Sequence, residues 1–359
     1  MKKTARVLIA CLLCFALVLA GQVPVLAAEQ ASTEAIKCAG FNEAVTALRE
    51  NMVARQPVVR IGFQWENAEK QIMSDLLNKA LSHTGAPKEG DYLYWHMKKC
   101  SMKMLAQPLD NERYELTLTY TFTYRSTPEQ EAQVDAAVQE LLKQLDVSKA
   151  SDYEKVCAIY DYICENITYD WTGYILGDEM IYTAYAALIR KSAVCQGYAS
   201  LFYRLALELG VDTRVISGSS RKQSHGWNIV RLDGKYYNLD CTWDAVNAQN
   251  DDPYGYFLRS DANFSEHDRN DTYNTEQFHK NYVMSDKDYD ASAPLPKGDL
   301  TGNRLVDEDD AIYLLQHILM PDDFKVEQNV DLDRNGRIDE DDAIYLLQYV
   351  LMPENFPLN

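Results

Sequence analysis

Apolar and polar positions alternate with two different periods in the first third of the chain. Residues 57–63 and 114–124 alternate with a period of two, which is typical of half-buried strands, whereas residues 67–82 repeat apolar side chains at helical spacing. The short apolar run 92–95 also predicts a strand. We therefore expect residues 28–146 to form a small α+β module of β-α-β-β order.

Three helices are predicted in the middle of the chain. The first begins at Thr127-Pro128, a capping residue followed by the proline that suits a first helical turn. The second begins at Ser151-Asp-Tyr-Glu154, which forms a capping box. The third covers residues 194–209 and ends at Gly210.

Strands are expected after the third helix. Residues 213–217 and 226–232 have strand patterns, and Asp233-Gly234 is a hairpin turn that returns the chain into residues 235–239. Residues 249–296 are rich in Asp, Asn, Ser and Tyr, and they are expected to form a long loop or linker. The order of elements predicts a second α+β domain.

The end of the chain contains one pattern twice. Residues 299–310 and 331–342 align without a gap, and each is followed by an amphipathic helix. Each copy has oxygen-bearing residues at loop positions 1, 3, 5, 9 and 12, which is the ligand spacing of a calcium loop. We call residues 297–359 the duplicated tail. Its apolar helix positions are expected to pack mostly between the two copies: Ile312, Leu314, Leu315, Ile318, Ile344, Leu346, Leu347 and Val350.

The start of the chain has the pattern of a secretory signal peptide. Residues 1–6 are short and basic, residues 7–20 are apolar, and small residues around Ala27 suit cleavage. No other stretch is long and apolar enough to cross a bilayer. We therefore expect a secreted, extracellular protein without a membrane span.

Charge and cysteine usage narrow the possibilities further. The net charge of -19 argues against a nucleic-acid partner, because phosphate contacts need basic clusters.

Of eight cysteines, Cys11 and Cys14 lie in the predicted signal peptide. Cys157 and Cys164 share one predicted helix but are too far apart along its axis to bridge. A dense disulfide framework is therefore not expected.

A nucleophile, a base and an acid follow one another along the predicted domain. Cys195 lies in the first turn of a helix, where unpaired backbone N–H groups and the helix dipole favour a thiolate. His225 begins a strand, and the hairpin returns Asp240 beside it. A thiol, an imidazole and a carboxylate in this arrangement form a catalytic triad. The sequence therefore predicts catalysis by Cys195, His225 and Asp240.

At these residues the chain resembles the transglutaminase-like superfamily. The resemblance covers about residues 150–245 and depends mainly on AVCQGYA around Cys195, HGWNIV from His225 and DGKYYNLDCTWD around Asp240. It implies a papain-like α+β core and acyl chemistry through a thioester. Cys241 departs from the pattern, because proline usually follows the aspartate.

The donors that would stabilise the oxyanion are less clearly indicated. The backbone N–H of Cys195 is one donor, and Trp171, Tyr182 and Tyr185 are the side-chain candidates. The spacing does not choose among these three side chains.

The duplicated tail resembles type I dockerin modules, which dock onto cohesin domains of scaffold proteins. The prolines before Asp299 leave no room for an entering helix, and both loops end in Asp rather than Glu. The resemblance implies two structural calcium sites. Catalysis by the triad is expected to need no cofactor. The expected ligands are Asp299, Thr301, Asn303, Leu305, Asp310, Asp331, Asp333, Asn335, Arg337 and Asp342, with Leu305 and Arg337 acting through carbonyls. Loop 1 departs at Arg304, where loop 2 has Gly336.

Three functions agree with these patterns. The first is a secreted cysteine hydrolase of peptide or amide bonds, tethered to a cohesin-bearing scaffold. The second is a protein-glutamine acyltransferase or deamidase, and the third is a non-catalytic binding module. The predicted segments are a signal peptide (1–27), an N-terminal α+β module (28–146), a transglutaminase-like catalytic domain (147–290), a linker (291–296) and an all-α dockerin (297–359).

Overall fold

The computed structural model describes most of the chain after the predicted signal peptide. The described residues are 34–110, 113–247, 254–292, 296–302, 306–326, 328 and 330–358. The predicted signal peptide and the tail positions Asn303, Arg304 and Leu305 lie outside them. In these described ranges, no helix combines the length and the apolar character that a membrane crossing requires.

The N-terminal part is a four-stranded sheet with helices against it. Its strands have the order β1-β2-β4-β3, with β1 parallel to β2 and the other pairs antiparallel. The alternating side chains of β4 enter one apolar core with the first two helices, as the period of two predicts. The elements are β1 Ile36–Lys37, α1 Phe41–Val53, β2 Val58–Trp65, α2 Gln71–Ala80, α3 Asp91–His96, β3 Met97–Pro108 and β4 Tyr114–Tyr124.

The strand predicted at residues 92–95 is wrong, because these residues belong to helix α3. Short apolar runs do not distinguish a strand from a buried helix. Tyr92 packs in the core of the following domain, while Leu93 packs in the core of the N-terminal sheet. Helix α3 therefore joins the two cores through adjacent side chains.

The second part packs helices on an antiparallel sheet of order β10-β7-β8-β9. The predicted cap at Thr127 and the predicted capping box at Ser151 are confirmed, and both residues form a reciprocal pair of hydrogen bonds with the third helical residue. The elements are α4 Pro128–Leu145, α5 Asp152–Asn166, β5 Thr168–Tyr169, α6 Trp171–Leu176, β6 Ser192–Ala193, α7 Cys195–Glu208, β7 Thr213–Ser220, β8 Gln223–Leu232, β9 Lys235–Leu239, α8 Cys241–Asn247, β10 His267–Arg269 and α9 Glu276–Asn281.

Helix α7 runs through the middle of this domain. Nearly every side chain from Gly197 to Leu207 is buried, which identifies a helix surrounded by protein on all sides. Arg204 is the buried charge on this helix, and it is paired with Asp135 and Glu208. The rigid core around the helix holds its first residue, Cys195, at a defined point.

The long loop predicted at residues 249–296 is also wrong for the part that the structure describes. Residues 254–292 contain strand β10 and helix α9. Phe264, Tyr273 and Phe278 from this segment are buried in a core that also contains Trp227. Their spacing has neither a helical nor a strand period, so the sequence pattern did not predict that these aromatic residues are buried.

The duplicated tail contains two helices, α10 Glu308–Leu319 and α11 Glu340–Leu351, which pack against each other. The matching residues Leu314 and Leu346 are buried in the tail core, as expected. By contrast, four of the predicted core positions are 38% to 52% exposed, so the expected burial between the copies is wrong there: Ile312, Leu315, Ile344 and Leu347. Each helix therefore keeps an exposed apolar face.

Candidate active site

The structure brings the three predicted catalytic side chains together. Cys195 begins helix α7, and its thiol is within hydrogen-bonding reach of His225 on strand β8. His225 Nε2 lies 2.6 Å from Asp240 Oδ2. Asp240 directly follows strand β9, which pairs with β8 as the hairpin predicts. A helix start and two adjacent strands thus place a thiol, an imidazole and a carboxylate in one line of contacts.

The ionisable groups of the triad shift one another's pKa values. Burial by itself would lower the pKa of His225, but the Asp240 carboxylate and Cys195 raise it to about 10. Burial would raise the pKa of Asp240, but His225 and His267 hold it well below its usual range. At neutral pH the imidazole is therefore protonated beside the Cys195 sulfur, where it can act as a proton donor.

Backbone groups also hold the Asp240 carboxylate. Its Oδ1 accepts from the N–H groups of Thr242 at 2.9 Å and Trp243 at 3.3 Å. Asp244, the alternative acid on helix α8, instead accepts hydrogen bonds from the Tyr160 hydroxyl and the Tyr256 N–H. Among these two acids, Asp240 is therefore the one that contacts His225.

A second histidine contacts Asp240, and the sequence analysis did not identify it. His267 Nε2 lies 3.0 Å from Asp240 Oδ2, the same oxygen that His225 contacts. His267 comes from strand β10, in the segment expected to be a loop. A single histidine in a polar stretch has no motif or period that would have marked it.

Cys195 and His225 lie in a cavity of about 230 Å³, which we call the cysteine cleft. Among the described residues that line it, none is Asp, Glu, Lys or Arg. A smaller cavity of about 30 Å³ continues past His225 to Trp243. The cysteine cleft is lined by Trp95, Tyr169, Trp171, Tyr174, Tyr182, Val194, Cys195, Gln196, Val215, Ser217, Gln223, Ser224, His225 and Gly226.

The lining of the cleft distinguishes among the three side-chain candidates for oxyanion stabilisation. Trp171 and Tyr182 both line it. The hydroxyl of Tyr185 instead donates to Gln133 Oε1 on helix α4, at 3.4 Å. Gln196 Nε2 donates to the carbonyls of Trp95 and Tyr182, at 2.8 and 3.3 Å, and so holds two parts of the wall. Trp171 and Tyr182 are the candidates that geometry retains.

The duplicated tail contains a separate cluster of carboxylates. Oxygens of Asp331, Asp333 and Asp342 all lie within 4.8 Å of one another. The sites of loop 1 are described only in part, and there Asp310 Oδ1 accepts from the N–H groups of Leu300 and Thr301. Converging carboxylates repel one another, and Ca²⁺ prefers oxygen ligands of this kind. The described residues of loop 2 therefore fit a calcium ion.

Further predicted ligands that the structure describes lie in the same turns. In loop 1, Asp299 Oδ1 accepts from the N–H of Gly302 at 2.7 Å. In loop 2, Asn335 Oδ1 accepts from the N–H of Arg337, and Asn335 Nδ2 donates to Asp333, both at 2.8 Å. The loops thus curl around their own acidic side chains.

Comparison with known proteins identifies the class of the domain that contains Cys195. Residues 139–241 match the family model described as the transglutaminase-like superfamily, so this part of the chain is a transglutaminase-like domain. A match over 124 residues, at 30% identity, relates the chain to the kyphoscoliosis peptidase of Mus musculus, covering 31% of this chain and 19% of that protein. The Homo sapiens kyphoscoliosis peptidase is 29% identical over 150 residues, covering 36% of this chain and 23% of its own length.

These matches cover only part of each peptidase. The chain spans less than a quarter of the length of both peptidases. A solved structure described as "Crystal structure of a TGase" aligns over 52% of this chain and 51% of its own, with 17% identity and a TM-score of 0.30. The family model assigns residues 139–241 to the transglutaminase-like superfamily.

Proposed function

We propose that this chain is a secreted cysteine hydrolase of peptide or amide bonds. Cys195 is the nucleophile, His225 the general base and acid, and Asp240 the acid that orients His225. The observation that carries the proposal is the continuous line of contacts from the Cys195 thiol through His225 to a buried Asp240, at the wall of an open cleft.

The geometry supports a two-step reaction. The Cys195 thiolate attacks the carbonyl carbon of an amide, and the His225 imidazolium donates its proton to the departing nitrogen as the C–N bond breaks. The product of this step is a thioester on Cys195 and a free amine. Water then attacks the thioester, His225 accepts its proton, and the released thiolate closes the cycle.

The first tetrahedral intermediate needs hydrogen-bond donors for its oxyanion. The backbone N–H of Cys195 is one donor, because it lies at the first position of helix α7. Trp171 or Tyr182 supplies the second donor from the wall of the cysteine cleft. Comparing Trp171→Phe with Tyr182→Phe tests this choice, since only the true donor should lower kcat without raising KM.

The lining of the cysteine cleft favours an uncharged substrate segment. Aromatic side chains form much of its wall, and the described lining lacks Asp, Glu, Lys and Arg. Helix α6 contributes Trp171 and Tyr174 to this wall, and the same helix carries Ile175 and Leu176, which are 80% and 77% exposed. We propose that apolar residues of a protein or peptide substrate lie here, beside the reacting acyl group.

The same triad also supports a protein-glutamine acyltransferase or deamidase, which is the alternative function. The two reactions share the thioester and differ only in whether an amine or water attacks it. A non-catalytic binding module is the third possibility, and it requires the triad to be inactive. The line of contacts at Asp240 favours the two enzymes.

One experiment separates these functions. The protein is incubated with a mixture of proteins, with and without a labelled primary amine, beside a Cys195→Ala control. New peptide termini that depend on Cys195 support the hydrolase, and incorporated label supports the acyltransferase. Ammonia release without label or new termini supports a deamidase. If wild type and the control give identical results, the non-catalytic binding module would be the remaining function.

We further propose that the duplicated tail is a dockerin that binds two structural calcium ions and a cohesin domain of a scaffold protein. The carboxylate cluster of loop 2 supports the metal part. Leu319 and Leu351 occupy matching positions on the two helices and are 72% and 70% exposed, which supports a partner surface on each copy. Binding of the full chain to a panel of immobilised cohesins, with and without a calcium chelator, tests both parts.

A further inference from the structure

His267 shares the oxygen of Asp240 that supports the triad. Its Nε2 lies 3.0 Å from Asp240 Oδ2, and His225 Nε2 lies 2.6 Å from the same atom. Because a carboxylate accepts hydrogen bonds and does not donate them, both rings donate from Nε2. We infer that His267 is a positioning residue, which holds Asp240 in the orientation that supports His225. This inference rests on the proposed function of the triad.

The hydrogen bonds of Asp240 explain why a second ring matters. Oδ1 is held by two backbone N–H groups, from Thr242 and Trp243. Without His267, the only side-chain donor on Oδ2 among the described residues would be His225, whose ring changes its protonation during the reaction. His225 keeps its Nε2–H bond to Oδ2 in both states but changes its charge, so His267 supplies a second donor to Oδ2 that does not depend on that change.

Strand β10 is packed so that this contact is enforced. Gly218 on β7 pairs with Arg269, and a Cβ at Gly218 would lie 1.9 Å from the Asp268 carbonyl oxygen. Only glycine therefore lets β10 approach β7 this closely. The His267 ring also stacks on Phe264 at 3.9 Å and meets the edge of Trp227 at 5.0 Å. These contacts leave the ring little freedom to turn away from Asp240.

The other nitrogen of His267 indicates that the contact with Asp240 determines the orientation of the ring. The side chain is fully buried, and Nδ1 has no hydrogen-bond partner among the described residues. A buried polar atom without a partner carries a cost in free energy, and such atoms are rare in folded proteins. The orientation of the ring therefore satisfies Nε2 through Asp240 and leaves Nδ1 without a partner.

Isosteric variants separate positioning from mere packing. The amide nitrogen of glutamine can reach the position of Nε2, whereas that of asparagine reaches only the position of Nδ1. The test compares His267→Gln, His267→Asn and His267→Leu. The matched control is His279→Leu, because His279 lines the same cavity of about 280 Å³ as His267 and belongs to the same segment.

Two readouts are measured on the full chain. The first is kcat and KM for hydrolysis of p-nitrophenyl acetate, a small acyl donor. The second is the rate at which iodoacetamide alkylates Cys195 at pH 7, followed by mass spectrometry. Loss of one hydrogen bond to a charged group should lower kcat about tenfold in the leucine and asparagine variants, with KM nearly unchanged. The glutamine variant and the His279→Leu control should stay within about threefold of wild type.

The outcomes are decisive in both directions. A leucine or asparagine variant with wild-type kcat and alkylation rate would overturn the inference. So would a glutamine variant that loses as much kcat as the asparagine variant, because packing would then explain the effect. If the leucine variant does not fold, the glutamine and asparagine pair carries the test.

The proposed function fails separately from this inference. Turnover of p-nitrophenyl acetate that is equal in wild type and Cys195→Ala would contradict the proposed function. The alkylation rate still tests the role of His267 in that case, because it needs no substrate. Turnover that depends on Cys195 but is unchanged in every His267 variant would contradict the inference alone.

Discussion

The cysteine cleft and the duplicated tail each bring polar side chains into contact. They differ in how far apart the contacting residues are in the sequence. His225 and His267 reach Asp240 from 15 and 27 residues away, on different strands. Asp342 instead accepts from the N–H groups of Leu332 and Asp333, which are 10 and 9 residues away in the same loop. The cleft depends on the whole domain, whereas the hydrogen bonds of Asp310 and Asp342 lie within their own loops.

This difference predicts how each region fails. A change inside the cleft should abolish chemistry without affecting calcium binding. A change inside one tail loop should weaken one metal site and leave turnover intact. Four measurements test that independence, from the largest expected effect to the smallest.

The largest effect is expected at the nucleophile. Cys195→Ala should lower turnover by on the order of 10³-fold or more, because the thioester can no longer form. The thermal unfolding midpoint and the calcium titration should match those of wild type. Wild-type turnover in this variant would remove the triad, and a changed calcium titration would contradict the independence of the two regions.

A somewhat smaller loss is expected at the orienting acid. Asp240→Asn keeps the shape of the side chain but removes the charge that supports the His225 imidazolium, so turnover should fall on the order of 10²-fold. The matched comparison is Asp244→Asn, whose carboxylate holds Tyr160 and Tyr256 instead. If Asp244→Asn lowers turnover more than Asp240→Asn, the assignment of the orienting acid is wrong.

The tail should show two unequal calcium sites. Loop 2 has Asp333 and Gly336 where loop 1 has Thr301 and Arg304, so loop 2 should bind more tightly. Removing a carboxylate ligand by Asp342→Ala or Asp310→Ala should weaken the tighter or the weaker site respectively, by on the order of tenfold. Titration calorimetry of the full chain measures both sites, and turnover serves as the control. Two indistinguishable sites in wild type would contradict this expectation.

The smallest effect is a shift along the pH axis. The pKa of His225 is raised from 6.5 to about 10, so its protonated form adds stability that is complete below about pH 6.5 and is lost as pH rises through about 10. Turnover should fall over the same alkaline range, because His225 can no longer protonate the leaving group. Asp240→Asn should move that alkaline limb to lower pH. A limb that stays in place would mean that Asp240 does not set the charge of His225.

Several features of the cleft domain are predictable from local sequence signals. Cys195, His225 and Asp240 were recognisable because a helix start, a strand and a hairpin turn placed them in a known order. The predicted caps at Thr127 and Ser151 follow from contacts within one turn, and the structure confirms them. Local signals of this kind are present in the sequence itself.

The errors share one physical cause. Residues 92–95 were expected to be a strand, yet Tyr92 and Leu93 point into two different cores. Residues 254–292 were expected to be a loop, yet Phe264 packs against Trp227 across the sheet. In both places the conformation is decided by distant packing partners, which a local period does not reveal.

The sequence by itself determined the elements that local chemistry dictates: the capped helices, the hairpin after His225, and the two acidic loops of the tail. Only the tertiary structure decided that His267 meets Asp240, because that contact requires strand β10 to lie against β7 at Gly218. It also decided which tail residues stay exposed, such as Ile312 and Ile344. Burial and long-range contact depend on what covers a side chain, and that is a property of the folded chain as a whole.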